Sequence, residues 1–159
     1  MHILITGGGG FLGARLARTL LKQGTLTLHG APSQTITKIT LADRATPPAD
    51  LLADARVQSV EGDLLDLIKA GTLPAAGTQL VFHLSAAVSG ECEADFDLGM
   101  RSNLDTTRAL LEAGYRVAAT DLRTEHVAQE LAAHGAQLAT RNVRHFEGLG
   151  LVWVNPWGA

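Results

Sequence analysis

The chain has 159 residues, 46% of them hydrophobic, and a formal net charge of -3, with an isoelectric point near 6.0. That length suffices for one well-buried core and leaves little for a second, and the charge excludes a polycationic surface for tracking a phosphate backbone, so nucleic-acid binding is disfavoured. The single cysteine, Cys92, forms no intrachain disulfide, and the start MHILITGGGG has no secretory pattern, which together point to a reducing cytoplasm.

The opening run His2 to Thr6 is apolar and β-branched and ends in four glycines, which suits a central parallel strand buried on both faces. From Phe11 the spacing becomes helical, with Leu12, Leu16 and Leu20 on one stripe and Gly24 as the stop. Residues Thr25 to Thr37 read as a loop, followed by a strand from Lys38 that ends at Asp43. After the Pro47-Pro48 break come a short helix, a strand at Val57 to Val60, a helix at Leu64 to Ala70 and a strand at Gln79 to Leu84. That last strand belongs to the longest apolar stretch, Gln79 to Val88. His83 and Ser85 interrupt it, and it is far short of the ~20 residues that span a bilayer.

A helix from Ala94 to Ala113 follows, with Met100, Leu104, Thr107 and Leu111 at helical spacing and Gly114 closing it. The tail reads as a strand at Arg116 to Ala119, a helix at Thr124 to His134, a strand at Gln137 to Thr140, a turn through His145 to Gly150 and a strand at Leu151 to Val154. Alternating strands and helices with right-handed crossovers predict an α/β fold, a Rossmann-like, doubly wound, mostly parallel sheet in a single domain over 1–159.

Thr6-Gly7-Gly8-Gly9-Gly10-Phe11-Leu12-Gly13 fits G-x-G-x-x-G from Gly8 and also G-x-x-G-x-x-G from Gly7. Between a strand and an amphipathic helix, such glycines allow a tight turn, close approach of a pyrophosphate and close helix packing, with the helix N–H groups facing the anion. A dinucleotide is therefore the expected ligand. Asp43, at the end of the second long strand, has the chemistry to accept hydrogen bonds from adenosine ribose hydroxyls and to repel a 2′-phosphate, which favours NAD. Arg44 beside it would tolerate that phosphate, and a plain turn or helix-cap role for Asp43 stays open.

The glycine run, with Leu41-Ala42-Asp43, Gly62-Asp63-Leu64, His83-Leu84-Ser85-Ala86-Ala87 and Asn103 to Leu111, resembles the extended short-chain dehydrogenase/reductases over about residues 1 to 113. Within them it is most similar to the D-erythronate dehydrogenase branch, NAD-dependent oxidoreductases of sugar acids. The resemblance implies a cofactor site of Gly7, Gly10, Phe11, Leu12, Gly13, Asp43, Asp63, Leu64, Ala86, Ala87 and Asn103. Asp63 and Leu64 would flank the adenine, Ala86 and Ala87 would line the cofactor, and Asn103 would brace the site from its helix. Ser85 replaces the family's usual alanine and Thr106 its usual glycine.

The family's chemistry also needs a Tyr-x-x-x-Lys pair, the lysine lowering the pKa of the tyrosine that acts as acid and base. Here Tyr115 is the only tyrosine, Ala119 stands four residues on, and Lys22, Lys38 and Lys69 all lie in the cofactor half. No catalytic residue is assigned, and the chain reads as a dehydrogenase cut before its catalytic pair.

From about Gly114 the sequence resembles a different family. The run His134 to Gly150, with Asn155-Pro156-Trp157, is similar to the C-terminal end of PIN-domain ribonucleases of the VapC type. These gather carboxylates around a divalent metal. Thr124 occupies the third acidic position, with Glu125 and Asp121 near it, and Asn142 the fourth, so no metal site is assigned. The segment from Gly114 to Asp121 reads equally as another Rossmann-like strand ending in an acid or a helix cap. His126, His134 and His145 lack ligand spacing, and Trp153 and Trp157 suit packing. On this reading a PIN-like strand-helix-strand tail completes the sheet of a dinucleotide-binding half. A ribonuclease remnant and a non-catalytic interaction module are the alternatives, a membrane partner is excluded, and oligomerisation is left open.

Overall fold

The computed structural model describes residues 1–27, 32–87 and 89–113, and the strand backbones at 117–119, 137–139 and 152–154. The first strand, β1 (His2–Thr6), is buried along its whole length. Helix α1 (Phe11–Gln23) ends where Gly24 turns left-handed at φ 70° and donates its N–H to the Leu20 carbonyl, a conformation that glycine adopts without a Cβ penalty. Its buried stripe is Gly13, Leu16, Ala17 and Leu20. Leu12, one turn before Leu16, is 54% exposed and does not join that buried stripe.

The expected loop at Thr25 to Thr37 contains a small antiparallel hairpin, β2 (Thr25–Leu26) against β3 (Gln34–Thr35). Two anchors hold its base. The Ile36 N–H donates to the Gly24 carbonyl at 2.8 Å, and the Ile36 side chain is 1% exposed in the core.

Four further elements follow the prediction closely: β4 (Lys38–Asp43), α2 (Ala49–Leu52), β5 (Val57–Glu61) and α3 (Leu64–Lys69). After β6 (Thr78–His83) comes a short helix that the prediction did not place, α4 (Ser89–Ala94), and the predicted helix from Ala94 to Ala113 is divided into α5 (Phe96–Gly99), a π-helical stretch Met100–Asp105 and α6 (Thr106–Glu112). Asp95 causes the first break, its carboxylate accepting the Leu98 N–H to cap a new start. The wide turn coincides with two hydroxyls that bond back to the chain, Thr106 to the Arg101 carbonyl and Thr107 to the Asn103 carbonyl, in competition with the regular backbone ladder. Met100 is 39% exposed and is not a core residue.

The main sheet has the order β5-β4-β1-β6-β7, with β7 at Val117–Ala119, and every pairing is parallel. Two apolar layers cover it, as period-two alternation requires. Ile3, Ile5, Leu16, Leu20, Ile39, Leu41 and Phe82 form one core, and Leu4, Ala42, Leu64, Val81, Leu110 and Leu111 form the other. Helix α1 covers the first face, and α3 and α6 pack together over the second. This is the doubly wound architecture.

The chain moves outward from β1 through β4 to β5, then returns to place β6 on the other side of β1. The reversal puts a crevice at the C-terminal end of β1, where Thr6 is level with Ala42 of β4 and His83 of β6.

In the tail, β7 extends this sheet in parallel beside β6, as the Rossmann-like alternative for that segment predicts. The two other tail strands, β8 (Gln137–Ala139) and β9 (Val152–Val154), pair in parallel with each other in a separate two-stranded sheet. Of the tail strands described, β7 alone joins the main sheet. The predicted helix at Thr124 to His134, the turn at His145 to Gly150, Gly114 and Trp157 lie outside the described residues.

Candidate functional site

A cleft of about 410 Å³ opens at the reversal point. Its floor is the turn from β1 into α1. Gly7 has φ +70° there, a conformation costly for any residue with a Cβ, and the Gly10 N–H closes the turn onto the Gly7 carbonyl at 3.1 Å. A Cβ on Gly13 would stand 2.1 Å from that same carbonyl oxygen, so only glycine lets the first turn of the helix sit this close. Gly7, Gly10, Phe11, Leu12 and Gly13 line the cleft, whereas Gly8 packs beneath, its Cβ position 2.7 Å from the Leu41 Cβ. The frame from Gly7 is therefore the one that faces the cleft. Gly10 caps α1 without a side chain, and the first turn holds no acid, which leaves the positive end of the helix open to an anion.

One wall consists of charged residues. The Asp43 carboxylate accepts the Gly9 N–H at 2.9 Å and the Ala45 N–H at 3.1 Å, so it fixes the glycine loop while lining the cleft. Both its predicted position and its turn-capping alternative are therefore found in one side chain. Asp63 caps α3 by accepting the Asp66 N–H and is ion-paired to both Arg44 and Arg101. Partial burial works to raise the Asp63 pKa, but Arg44, the Asp66 N–H and Arg101 hold it below the ordinary carboxylate value.

Behind the opposite wall lies a buried chain of hydrogen bonds. The Thr107 hydroxyl donates to the Asn103 carbonyl at 2.7 Å, so toward His83 it can only accept, at 3.1 Å from Nε2. His83 therefore carries its proton on Nε2, and its Nδ1 accepts from the Thr6 hydroxyl at 2.7 Å. The Thr6 oxygen in turn accepts the N–H groups of Leu84 and Ser85. Burial lowers the His83 pKa to about 4, which keeps the ring neutral and this proton order fixed. The network ties the ends of β1 and β6 to α6. Asn103 completes the wall, its Oδ1 accepting the Ala87 N–H at 2.8 Å and its Nδ2 donating to the Ala87 carbonyl at 3.2 Å.

Of the residues expected from the sequence, Gly7, Gly10, Phe11, Leu12, Gly13, Asp43, Asp63, Leu64, Ala86 and Ala87 all line this one cleft. Asn103 stands behind it and holds Ala87 in place. The structure adds Arg44, Arg101, Ser85, Ser102, Glu91 and Thr106 to the lining. Arg101 carried no signal in the sequence, because its partner Asp63 lies 38 residues away. In the sequence His83 stands out only as part of a motif, although a histidine ending a buried strand is a signal for a satisfied polar network.

A parallel sheet whose first strand runs through a glycine turn into an uncapped helix, at the point where strand order reverses, defines a nucleotide-binding fold of the Rossmann type. Residues 3–127 match the NAD dependent epimerase/dehydratase family. The chain belongs to that family, and NAD is the cofactor this membership assigns. It is 55% identical over 112 residues to a D-erythronate dehydrogenase of Cupriavidus necator, a match covering 70% of this chain and 34% of that one. The chain thus spans about a third of the length of the relatives it matches. Among solved structures, the nucleoside-diphosphate-sugar epimerase of Agrobacterium tumefaciens superposes with a TM-score of 0.65 at 37% identity, covering 77% of this chain and 37% of that one. The Bordetella bronchiseptica enzyme WbmG, in complex with NAD, superposes with a TM-score of 0.55 at 26% identity, covering 76% and 37% of the respective chains.

Proposed function

We propose that the cleft is the NAD site. The pyrophosphate would rest on the turn of Gly7, Gly10 and Gly13 and the first N–H groups of α1 at Phe11 and Leu12. The adenosine ribose would bond to Asp43, and Asp63 and Leu64 would flank the adenine. The far end of the dinucleotide would pass Ala86 and Ala87, held by Asn103. The observation that carries this reading is the uncapped first turn of α1 opening into a cleft whose floor is a turn too tight for a Cβ at Gly7 or Gly13. When bound, NAD supplies a hydride acceptor; the residues here bind and orient it. A fluorescence titration with NADH tests the assignment. The parent chain should bind, and Gly10→Val, which projects a branched side chain from the cleft floor, should abolish binding. Unchanged binding in Gly10→Val refutes the site.

The likeness to D-erythronate dehydrogenase further supports NAD-dependent oxidation of a sugar acid as the activity of the enzyme to which this fold belongs. We assign no catalytic residue within these 159 residues. We read 1–159 as one α/β domain in which residues from 114 form a PIN-like tail, a reading supported by the sequence run His134 to Gly150 alone. Asp121 and Glu125 lie outside the described residues, and magnesium-dependent RNA cleavage by the purified chain would reveal a ribonuclease activity. Among the described residues no helix is long and apolar enough to cross a membrane. The lone Cys92 supports a cytoplasmic setting.

A further inference from the structure

Arg44 and Asp63 both line the cleft, and Arg44 follows directly on Asp43, the residue assigned above to the adenosine ribose. Asp43 has both carboxylate oxygens engaged by backbone N–H groups and lines the same cleft. Arg44, with its side chain 62% exposed, is turned to Asp63, its acidic partner among the described residues. Arg101 shares Asp63 but also holds Asp66 at 2.8 Å. Neutralising Asp63 would therefore leave Arg101 a carboxylate and deprive Arg44 of its own.

We propose that Asp63 is a determinant of cofactor choice, a clamp that draws the Arg44 guanidinium away from the adenosine ribose and so denies NADP its phosphate partner. The proposal rests on the reading of the cleft as the dinucleotide site. It assigns the preference for NAD to two acids. Asp43 repels the extra phosphate, and Asp63 sequesters the cation that would offset the repulsion. A guanidinium freed from its carboxylate can offer a phosphate a bidentate contact of the charge-assisted kind.

Asp63→Asn is the decisive variant, because asparagine caps a helix about as well as aspartate and can still accept the Asp66 N–H. NADH and NADPH titrations would be run on the 159-residue parent, on Asp63→Asn, on Arg44→Ala and on the double variant. The parent should prefer NADH. Asp63→Asn should improve NADPH relative to NADH by about tenfold, the scale of one charge-assisted contact, and adding Arg44→Ala should remove that gain. A loss of adenine contact would weaken both cofactors alike and leave the ratio unmoved. An unchanged ratio in Asp63→Asn overturns the clamp, as does a gain that survives Arg44→Ala, since the gain would then come from the lost charge of Asp63 itself. If Asp63→Asn binds neither cofactor, Arg44→Ala in the parent decides. An unaltered ratio there supports a sequestered Arg44, and weakened NADPH binding shows Arg44 already free. A parent that binds no NADH fails at the site assignment, which separates that failure from failure of the clamp.

Discussion

Gly10 and Gly13 belong to one turn, yet a side chain would meet different obstacles at each. At Gly10 the backbone is extended, with φ -77° and ψ 169°, and a Cβ would lie 3.2 Å from the Gly7 oxygen, a tight contact that a small shift relieves. At Gly13 the distance is 2.1 Å, and neither the strand end nor the helix can retreat without unpacking α1 from the sheet. Gly13→Ala should therefore cost folding stability, on the order of 1–3 kcal/mol as overpacking does, while Gly10→Ala should change it by less than about 1 kcal/mol. Urea denaturation of the two variants gives the comparison. Equal losses would mean that the close approach of helix and turn has no energetic consequence. Residue by residue, then, Gly13 sets the fold of the loop and Gly10 the space above it.

The junction of β1, β6 and α6 depends on a ring that must stay neutral. His83 is buried, and its pKa falls from 6.5 to about 4, so the unfolded chain takes up a proton at this site at higher pH than the folded one. Stability from this source is complete above the unfolded value of 6.5 and is lost as pH falls toward about 4, a total of about 3 kcal/mol over the window. His2, whose pKa is lowered by burial and by Lys38, acts with the same sign. The carboxylates held low, Asp63 and Asp54, the latter at about 2, are lost only at more acid pH. The unfolding free energy of the parent should thus decline between pH 7 and pH 4, and His83→Gln should flatten that decline whatever it does to stability at pH 7. An equal slope in both proteins would place the titration elsewhere. Much of this junction was legible in the sequence as the strand His2 to Thr6, the glycines and the helix after them, because each signal is local in the chain. The hydrogen bonds joining Thr6 to His83, the hairpin inside the supposed loop and the π-helical turn were not, since strand order and hydroxyl back-bonding decide them. The same holds for the Arg44 and Arg101 pairs with Asp63, which link positions 19 and 38 residues apart.

At the scale of the molecule, holding a dinucleotide and transferring a hydride call on different residues, and the reading proposed above assigns residues of this chain to the first task and none to the second. The glycine turn, Asp43 and the wall held by Asn103 all come from residues before 114, as do both apolar cores and every strand of the main sheet but β7. Oxidising a secondary alcohol needs a base for the hydroxyl proton as hydride leaves, and such groups contribute roughly 10²–10⁴-fold. Tyr115, the only tyrosine, has Ala119 four residues on and no lysine there to lower its pKa, and among the cleft-lining side chains His83 is absent because it is sealed behind the wall. Proximity and orientation of the substrate contribute at least as much as acid and base, and the chain covers 34% of the length of its Cupriavidus relative. The 159-residue chain mixed with NAD and D-erythronate should accordingly form no NADH above the rate without protein, under conditions where the same preparation binds NADH. Absorbance at the nicotinamide band, followed over a range of D-erythronate concentrations, is the measurement. Saturable turnover that disappears in Gly10→Val would show that a residue of this chain has taken the acid/base role, with Glu91 at the cleft the first to replace by glutamine.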